Sequence, residues 1–455
     1  MATIEIELEE ARQLPRRRDT STGEDAASAV SGRDQFNLSE DHDAFHNAAP
    51  AIPDGGYGWI VVLACSVLTF IFNGWAGAWG VLQIALLQST SLRVSTSTIS
   101  FVGSLGIACI VAFGLFSTRL SRTIGARASA LLGILLFGLG VLCSSFTADN
   151  IGGLFITAGV LTGIGGSLLY SVCNAVPVQW FSSKLGTANG VVKAGGGLGA
   201  TAMSIVFQVL VDRVGIVWTL RIVGIGVFVA GLPAAALVRE RVPSSRNVPF
   251  VDWALFKRLP FTFVFLTGAI GTFALFVPLY FLPLFVHSIG LSPTFGAGLV
   301  AGYNLCAAVG RLLAGFACDK LGALNVLLLT MALNTVSMLA IWPVSSNIAP
   351  LVVFSAVNGV ANGAFFVVLP TAVVSLTGPG LADVAMGMVM TGWTGGYLMG
   401  SPLAGLLILS TGAAKGIAIE PFRPAIFYAG GVAAASCVCV SVARFTLDTK
   451  LKKKL

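Results

Sequence analysis

Between Asp54 and Arg93 the chain carries no charged side chain, and most of that stretch is apolar. A helix crossing a bilayer needs about 20 such residues. Comparable runs recur to the end of the chain, at about residues 58–82, 97–117, 127–147, 151–176, 187–211, 216–238, 260–287, 294–317, 324–343, 349–375, 383–409 and 424–446. Hydrocarbon offers no partner to an unpaired backbone group, so a run of this length crosses as a helix. We therefore expect an all-α, polytopic membrane protein with twelve transmembrane helices.

The charged residues set its orientation. They make up 10% of the 455 residues, where a soluble domain has about 25%. Residues 1–53 hold 11 of the 20 acids and 5 of the 27 bases, which leaves 22 bases against 9 acids beyond them. Arg119, Arg122 and Arg127 follow span two, Lys184 follows span four, and Lys320 follows span eight. Arg239, Arg241, Arg246, Lys257 and Arg258 lie between spans six and seven, and Lys450, Lys452, Lys453 and Lys454 end the chain. All of these fall on one side, opposite Arg93, Arg213, Lys415 and Arg423. The positive-inside rule then places a multi-pass protein in the cell membrane with both termini cytoplasmic. No basic cluster is interleaved with aromatics, so the expected partners are the lipid bilayer and a small molecule, with no nucleic acid.

The same pattern divides the chain. Residues 1–53 are polar and serine-rich, the composition of a disordered cytoplasmic tail. Met1–Glu10 is acidic where a signal peptide is basic, so no signal peptide is expected. An N-terminal six-helix bundle should occupy 54–238 and a C-terminal one 260–446. Pro243, Ser244, Ser245 and Pro249 mark 239–259 as a cytoplasmic linker, and 447–455 is a basic tail. Pro278 and Pro283 should break span seven.

Two stretches carry more than hydropathy. The first is Pro53-Asp54-Gly55-Gly56-Tyr57-Gly58-Trp59. Asp54 stands where a carboxylate caps the first helix, and Trp59 where a ring sits at headgroup depth. The second runs from Trp180 to Gly199. There Gly186, Gly190 and Gly197 form a bare stripe, and Gly195 and Gly199 a small-xxx-small pair; both let helices approach closely. Lys193 interrupts this helix on the stripe side. An ammonium at mid-span is costly unless it meets water or a partner. It either pairs or snorkels structurally, or supplies positive charge to an acidic substrate. Arg311 is the second base inside a span, and no acid lies mid-span. Asn73, Tyr303 and Asn304 are further candidates for the substrate path, with interhelical hydrogen bonds as the plainer reading of such polar groups.

Asp54-Gly55-Gly56-Tyr57-Gly58-Trp59 resembles the [DE]-G-[GS]-[FWY]-G-W signature of the monocarboxylate-transporter family, a branch of the major facilitator superfamily. Phe181, Lys184, Ala188, Gly190, Ala194, Gly195 and Gly199 match its fifth-helix motif, with Ser183 and Leu185 in place of two bases. The resemblance spans about residues 53–446. It implies two six-helix bundles that rock about a midplane site, a small organic acid as substrate, and a coupled proton. Arg311, followed by Gly315, fits the family's Arg-x-x-x-Gly and would pair with the substrate carboxylate or a helix acid. Ala307 and Gly74–Gly77 stand where members carry the acid and lysine of the proton relay, which leaves facilitated diffusion open. Gly315–Gly322 resembles the superfamily's loop motif through Asp319 and Lys320; Arg122 lies in its counterpart after span two, and together they imply a cytoplasmic latch. Fungal members are similar to exporters of acidic secondary metabolites, the alternative function. There is no Walker loop, no catalytic set and no metal spacing. We expect neither an enzyme nor a cofactor.

Overall fold

The computed structural model describes residues 54–89, 96–242, 249–411 and 419–448. The expected tail 1–53, the cluster Lys450–Lys454, and Arg93, Arg246 and Lys415 lie outside them. The described residues form helices and short connections. Among the described residues nine helices are long and apolar enough to cross a membrane, ten with the pair bent at Phe113; dividing Leu185–Leu237 at Gly215 and joining Ala382–Gly392 to Thr394–Ser410 brings these to the twelve spans expected.

The first six spans are built as follows. Helix α1 is Gly58–Ser89. Span two is α2, Thr96–Ala112, and α3, Gly114–Ile124, bent by 53° at Phe113. Span three is α4, Ala126–Ser144. Span four runs from Ile151 to Gln179, with a π-helical stretch at Phe155–Leu161 ahead of α5, Thr162–Ala175. Spans five and six form α6, Leu185–Leu237, a near-continuous chain of turns. The expected connection at Asp212-Arg213 is helical, and the reversal falls at Gly215, whose φ of 76° is a conformation glycine adopts without steric cost.

The last six spans repeat the plan. Span seven is α7, Leu259–Leu275, and α8, Val277–Ser288. The break at Phe276 agrees with the expectation from Pro278. That residue has no N–H for the carbonyl of Ala274, so the ladder is interrupted just ahead of it. Helix α9 is Pro293–Leu321, and α10, Ala323–Val336, continues through a π stretch at Ser337–Ile341. Helix α11 is Ile348–Thr377. Span eleven is α12, Ala382–Gly392, and α13, Thr394–Ser410; α14 is Arg423–Leu447.

Glycines decide how the helices pack. The close pair α1 and α6 meets at Gly195 and Gly199. A Cβ on Gly199 would run into the backbone of Phe70, and one on Gly195 into Ser66. The bare stripe faces the other way, onto α9 of the second half. A Cβ on Gly186 would come within 2.5 Å of the Gly315 carbonyl, one on Gly190 within 3.0 Å of the Arg311 carbonyl, and one on Gly197 within 2.9 Å of Ala308. The two glycine patterns therefore serve two different interfaces, one inside a half and one between halves.

Candidate functional site

Lys193 lies in the third turn of α6, between those two faces. Its side chain is 3% exposed, and its Nζ finds no hydrogen-bond partner among the described residues. It stands 4.1 Å from the centre of the Tyr170 ring, a cation–π contact. Arg311 approaches from α9. Its Nη1 donates to the main-chain carbonyl of Lys193 at 2.9 Å, and its Nε has no partner among the described residues.

Both cations open on one cavity of about 120 Å³. Asn73 lines it with them, as do the rings of Phe72, Tyr170, Phe276, Phe366 and Tyr397. The lining contains no carboxylate. Two positive groups in a low-dielectric pocket whose lining holds no carboxylate give the site a positive potential. The aromatic rings supply apolar area around that charge.

Of the other candidates, Tyr303 and Asn304 do not line this cavity. Tyr303 is buried against α11, where its hydroxyl donates to Asn358 Oδ1 at 3.0 Å. Asn358 is held in turn by Asn334 and Ser337, a polar knot inside the second half. Sequence reasoning passed over Tyr170 and Tyr397. The signal available was a tyrosine within an apolar run, a polar handle on a ring that otherwise reads as packing.

The residues expected to form a latch lie at the end of the bundle that carries the basic loops. Asp319 accepts hydrogen bonds from Gly186 N at 2.7 Å, Thr187 N at 2.8 Å and Thr187 Oγ1 at 2.5 Å, so an acid of one half caps a helix of the other. Arg122 meets Asp383 of α12 at 3.5 Å and the Gly380 carbonyl at the same distance. Lys320 is exposed. Asn189 donates to Thr371 at 3.1 Å, and Leu115 N to Thr391 at 3.3 Å, further ties between the halves.

The two sequence motifs meet each other at this end rather than at the cavity of Lys193. Asp54 was expected to cap α1. Its φ of 49° turns it outward, and Oδ1 accepts from Ser182 N at 2.6 Å and Ser183 N at 2.9 Å, just ahead of α6. Burial pushes its carboxyl up, but these N–H groups and that of Lys184 outweigh it and hold the group below the usual range. Trp59, 40% exposed, packs edge-on to Phe181 with centroids 4.9 Å apart, and Tyr57 lies 5.8 Å from Trp180. A Cβ on Gly58 would strike Trp180 at 2.9 Å.

Known proteins share this plan. The model of the Major Facilitator Superfamily matches residues 63–303 and again 281–455. The chain is 29% identical to an MFS-type transporter of an Ophiocordyceps species, over 82% of this chain and 85% of that one. It is 28% identical to the aspyridones efflux protein of Emericella nidulans, over 86% and 79%, and 27% identical to the agnestins efflux protein of Paecilomyces divaricatus, over 78% and 81%. Among solved structures, the transporter FucP in its outward conformation superposes with a TM-score of 0.61 at 16% identity, covering 85% of this chain and 99% of that one. A bacterial homologue of ferroportin in an outward-facing state gives 0.64 at 12% identity, covering 86% and 100%. With twelve spans, a cavity shared by both halves and a family model that matches in each, the chain belongs to the Major Facilitator Superfamily and is a membrane transporter working by alternating access.

Proposed function

We propose that the chain exports an organic acid with an apolar body, held as its anion between Lys193 and Arg311. The observation that carries this reading is Lys193, a buried ammonium without a hydrogen-bond partner in a cavity without an acid. A structural lysine would have a partner, since an unpaired charge in the membrane is costly. Five aromatic rings around the cations suit a conjugated or aromatic acid better than a compact one. The relatives described as efflux proteins support export. Arg122 and Asp319 act as the latch that closes the end bearing the basic loops. The positive-inside rule makes that end cytoplasmic, with Lys320 beside Asp319 in the last turn of α9 and both termini on that side.

A second reading is import or export of a small monocarboxylate with a proton. One observation favours it: the cavity of about 120 Å³ is smaller than the roughly 300 Å³ that drug-sized ligands occupy. A larger acid would need the halves to part further before it entered.

Flux in proteoliposomes separates the two. Labelled lactate and labelled naphthoate are loaded with and without a pH gradient, in wild type, Lys193→Ala and Arg311→Ala. Saturable naphthoate flux that both substitutions abolish supports export of a larger acid. Lactate flux that follows the proton gradient supports the second reading. No saturable flux of either acid sinks the anion assignment.

A further inference from the structure

Where α4 begins and α6 ends, the surface folds into a groove of about 890 Å³ that shares no lining residue with the cavity of Lys193. Arg127, Arg239 and Arg241 line it, with Tyr57 at one end. The Arg239 guanidinium lies over the Tyr57 ring, 5.8 Å from its centre, which helps to orient it. Glu240 is the acid in the wall, and it is already engaged: its Oε1 accepts the Ala126 N–H at 2.9 Å. Burial raises its carboxyl above the usual range, that N–H opposes the shift, and the negative field of Asp383 adds to it. The groove therefore keeps a net positive rim.

Its floor is different. Leu131, Ile124 and Leu237 line the same groove, and Ile124 and Leu237 are 42% and 46% exposed. Bases above an apolar wall, at the ends of membrane-crossing helices, form an amphipathic surface at headgroup depth. A soluble anion would engage the arginines and leave the apolar wall bare. A phospholipid covers both, and basic pockets between transmembrane helices suit anionic headgroups.

We propose that this groove binds an anionic phospholipid, its phosphate held by Arg127, Arg239 and Arg241 and its acyl chains along Leu131 and Leu237. The site serves the leaflet that the basic loops face. It does not depend on the identity of the transported molecule.

The test uses the full chain purified in a neutral detergent. Native mass spectrometry counts bound phosphatidylglycerol, phosphatidylinositol and phosphatidylcholine, and thermal melting follows each addition, with inorganic phosphate as a further arm. The two anionic lipids should bind and raise the melting temperature, and phosphatidylcholine should not. Each arginine is worth about fivefold in affinity for an anionic surface, so Arg127→Gln with Arg239→Gln should weaken binding about twenty-five-fold. Arg127→Lys with Arg239→Lys should keep most of it, which separates charge from folding. Equal binding by wild type and the glutamine pair overturns the proposal. So does stabilisation by inorganic phosphate equal to that by lipid, because it assigns the arginines to a soluble anion.

Discussion

Arg311 donates its Nη1 to the main-chain carbonyl of Lys193, so the two cations of the cavity are joined across the halves without neutralising each other. Arg311 is anchored by this bond, while the Lys193 ammonium stands over the Tyr170 ring with no hydrogen-bond partner among the described residues. This inequality sets the first expectation. Lys193→Gln should cut substrate binding by about tenfold to a hundredfold, the worth of a charge-assisted hydrogen bond. It should also raise the melting temperature of the substrate-free protein, because an uncompensated buried charge is removed. Binding calorimetry and a melting curve check both. A fall in melting temperature would mark Lys193 as a structural residue.

The glycine stripe on α6 makes a second expectation. Gly190→Ala places a methyl 3.0 Å from the Arg311 carbonyl and 3.2 Å from Gly315 Cα. Both neighbours are backbone, so α9 has to withdraw. Cys318, 4% exposed and packed against Gly186, is a natural reporter of that withdrawal. A maleimide should label Cys318 faster in Gly190→Ala than in wild type, read by mass spectrometry of the modified peptide. Unchanged labelling would mean the halves do not part there.

Gly199→Ala should behave otherwise. Its methyl would meet the Phe70 backbone within the first half, where α1 and α6 must stay together. We expect a loss of about 1–3 kcal/mol of stability from overpacking, without faster labelling of Cys318. Chemical denaturation beside the same labelling assay separates the two glycine effects.

The two pairs proposed as the latch differ in polarity. Asp319 offers an acid to the bare start of α6, whereas Arg122, at the matching place after span two, is a base that meets Asp383. Exchanging the second pair, as Arg122→Asp with Asp383→Arg, should recover much of what either substitution loses alone. A double-mutant cycle on Cys318 labelling should give a coupling of about 0.5–3 kcal/mol. Additive effects would remove the pair from the latch.

Acid tolerance follows from Asp54. Its folded carboxyl titrates below its unfolded value, so the stability it contributes is present above the unfolded value and is lost only as pH falls through the lower, folded one. Between about pH 5 and 8 that contribution should be constant. Glu240 runs the other way, since its folded value is raised. Its contribution is fullest below the unfolded value and is lost as pH rises through the folded one. Glu240→Gln should therefore gain melting temperature relative to wild type at pH 8 compared with pH 4, while Asp54→Asn should lose it at both pH 6 and pH 8.

Much of this architecture could be read from the chain because lipid punishes exceptions. Apolar length located the spans, and Pro278 located a break. The bend at Phe113 had no comparable marker, since no proline lies within α2 or α3. The join of spans five and six hid a helical Asp212-Arg213, because polar residues near a membrane surface read equally as loop or as helix end. Within the site, Lys193 and Arg311 stood out as ionisable groups in apolar runs. Tyr170 and Tyr397 did not, because a ring in a span packs as well as it lines. The partner of Asp54 was out of reach of local reasoning: Ser182 lies 128 residues away, and only the fold brings its N–H there.

The two faces of α6 make it a riveted beam on one side and a sliding rail on the other. Gly199 seats it on α1 so closely that the pair must travel as one piece, while Gly186 and Gly190 give α9 a smooth track. A covalent staple between α1 and α6 should leave the machine running. The same staple between α6 and α9 should stop it dead.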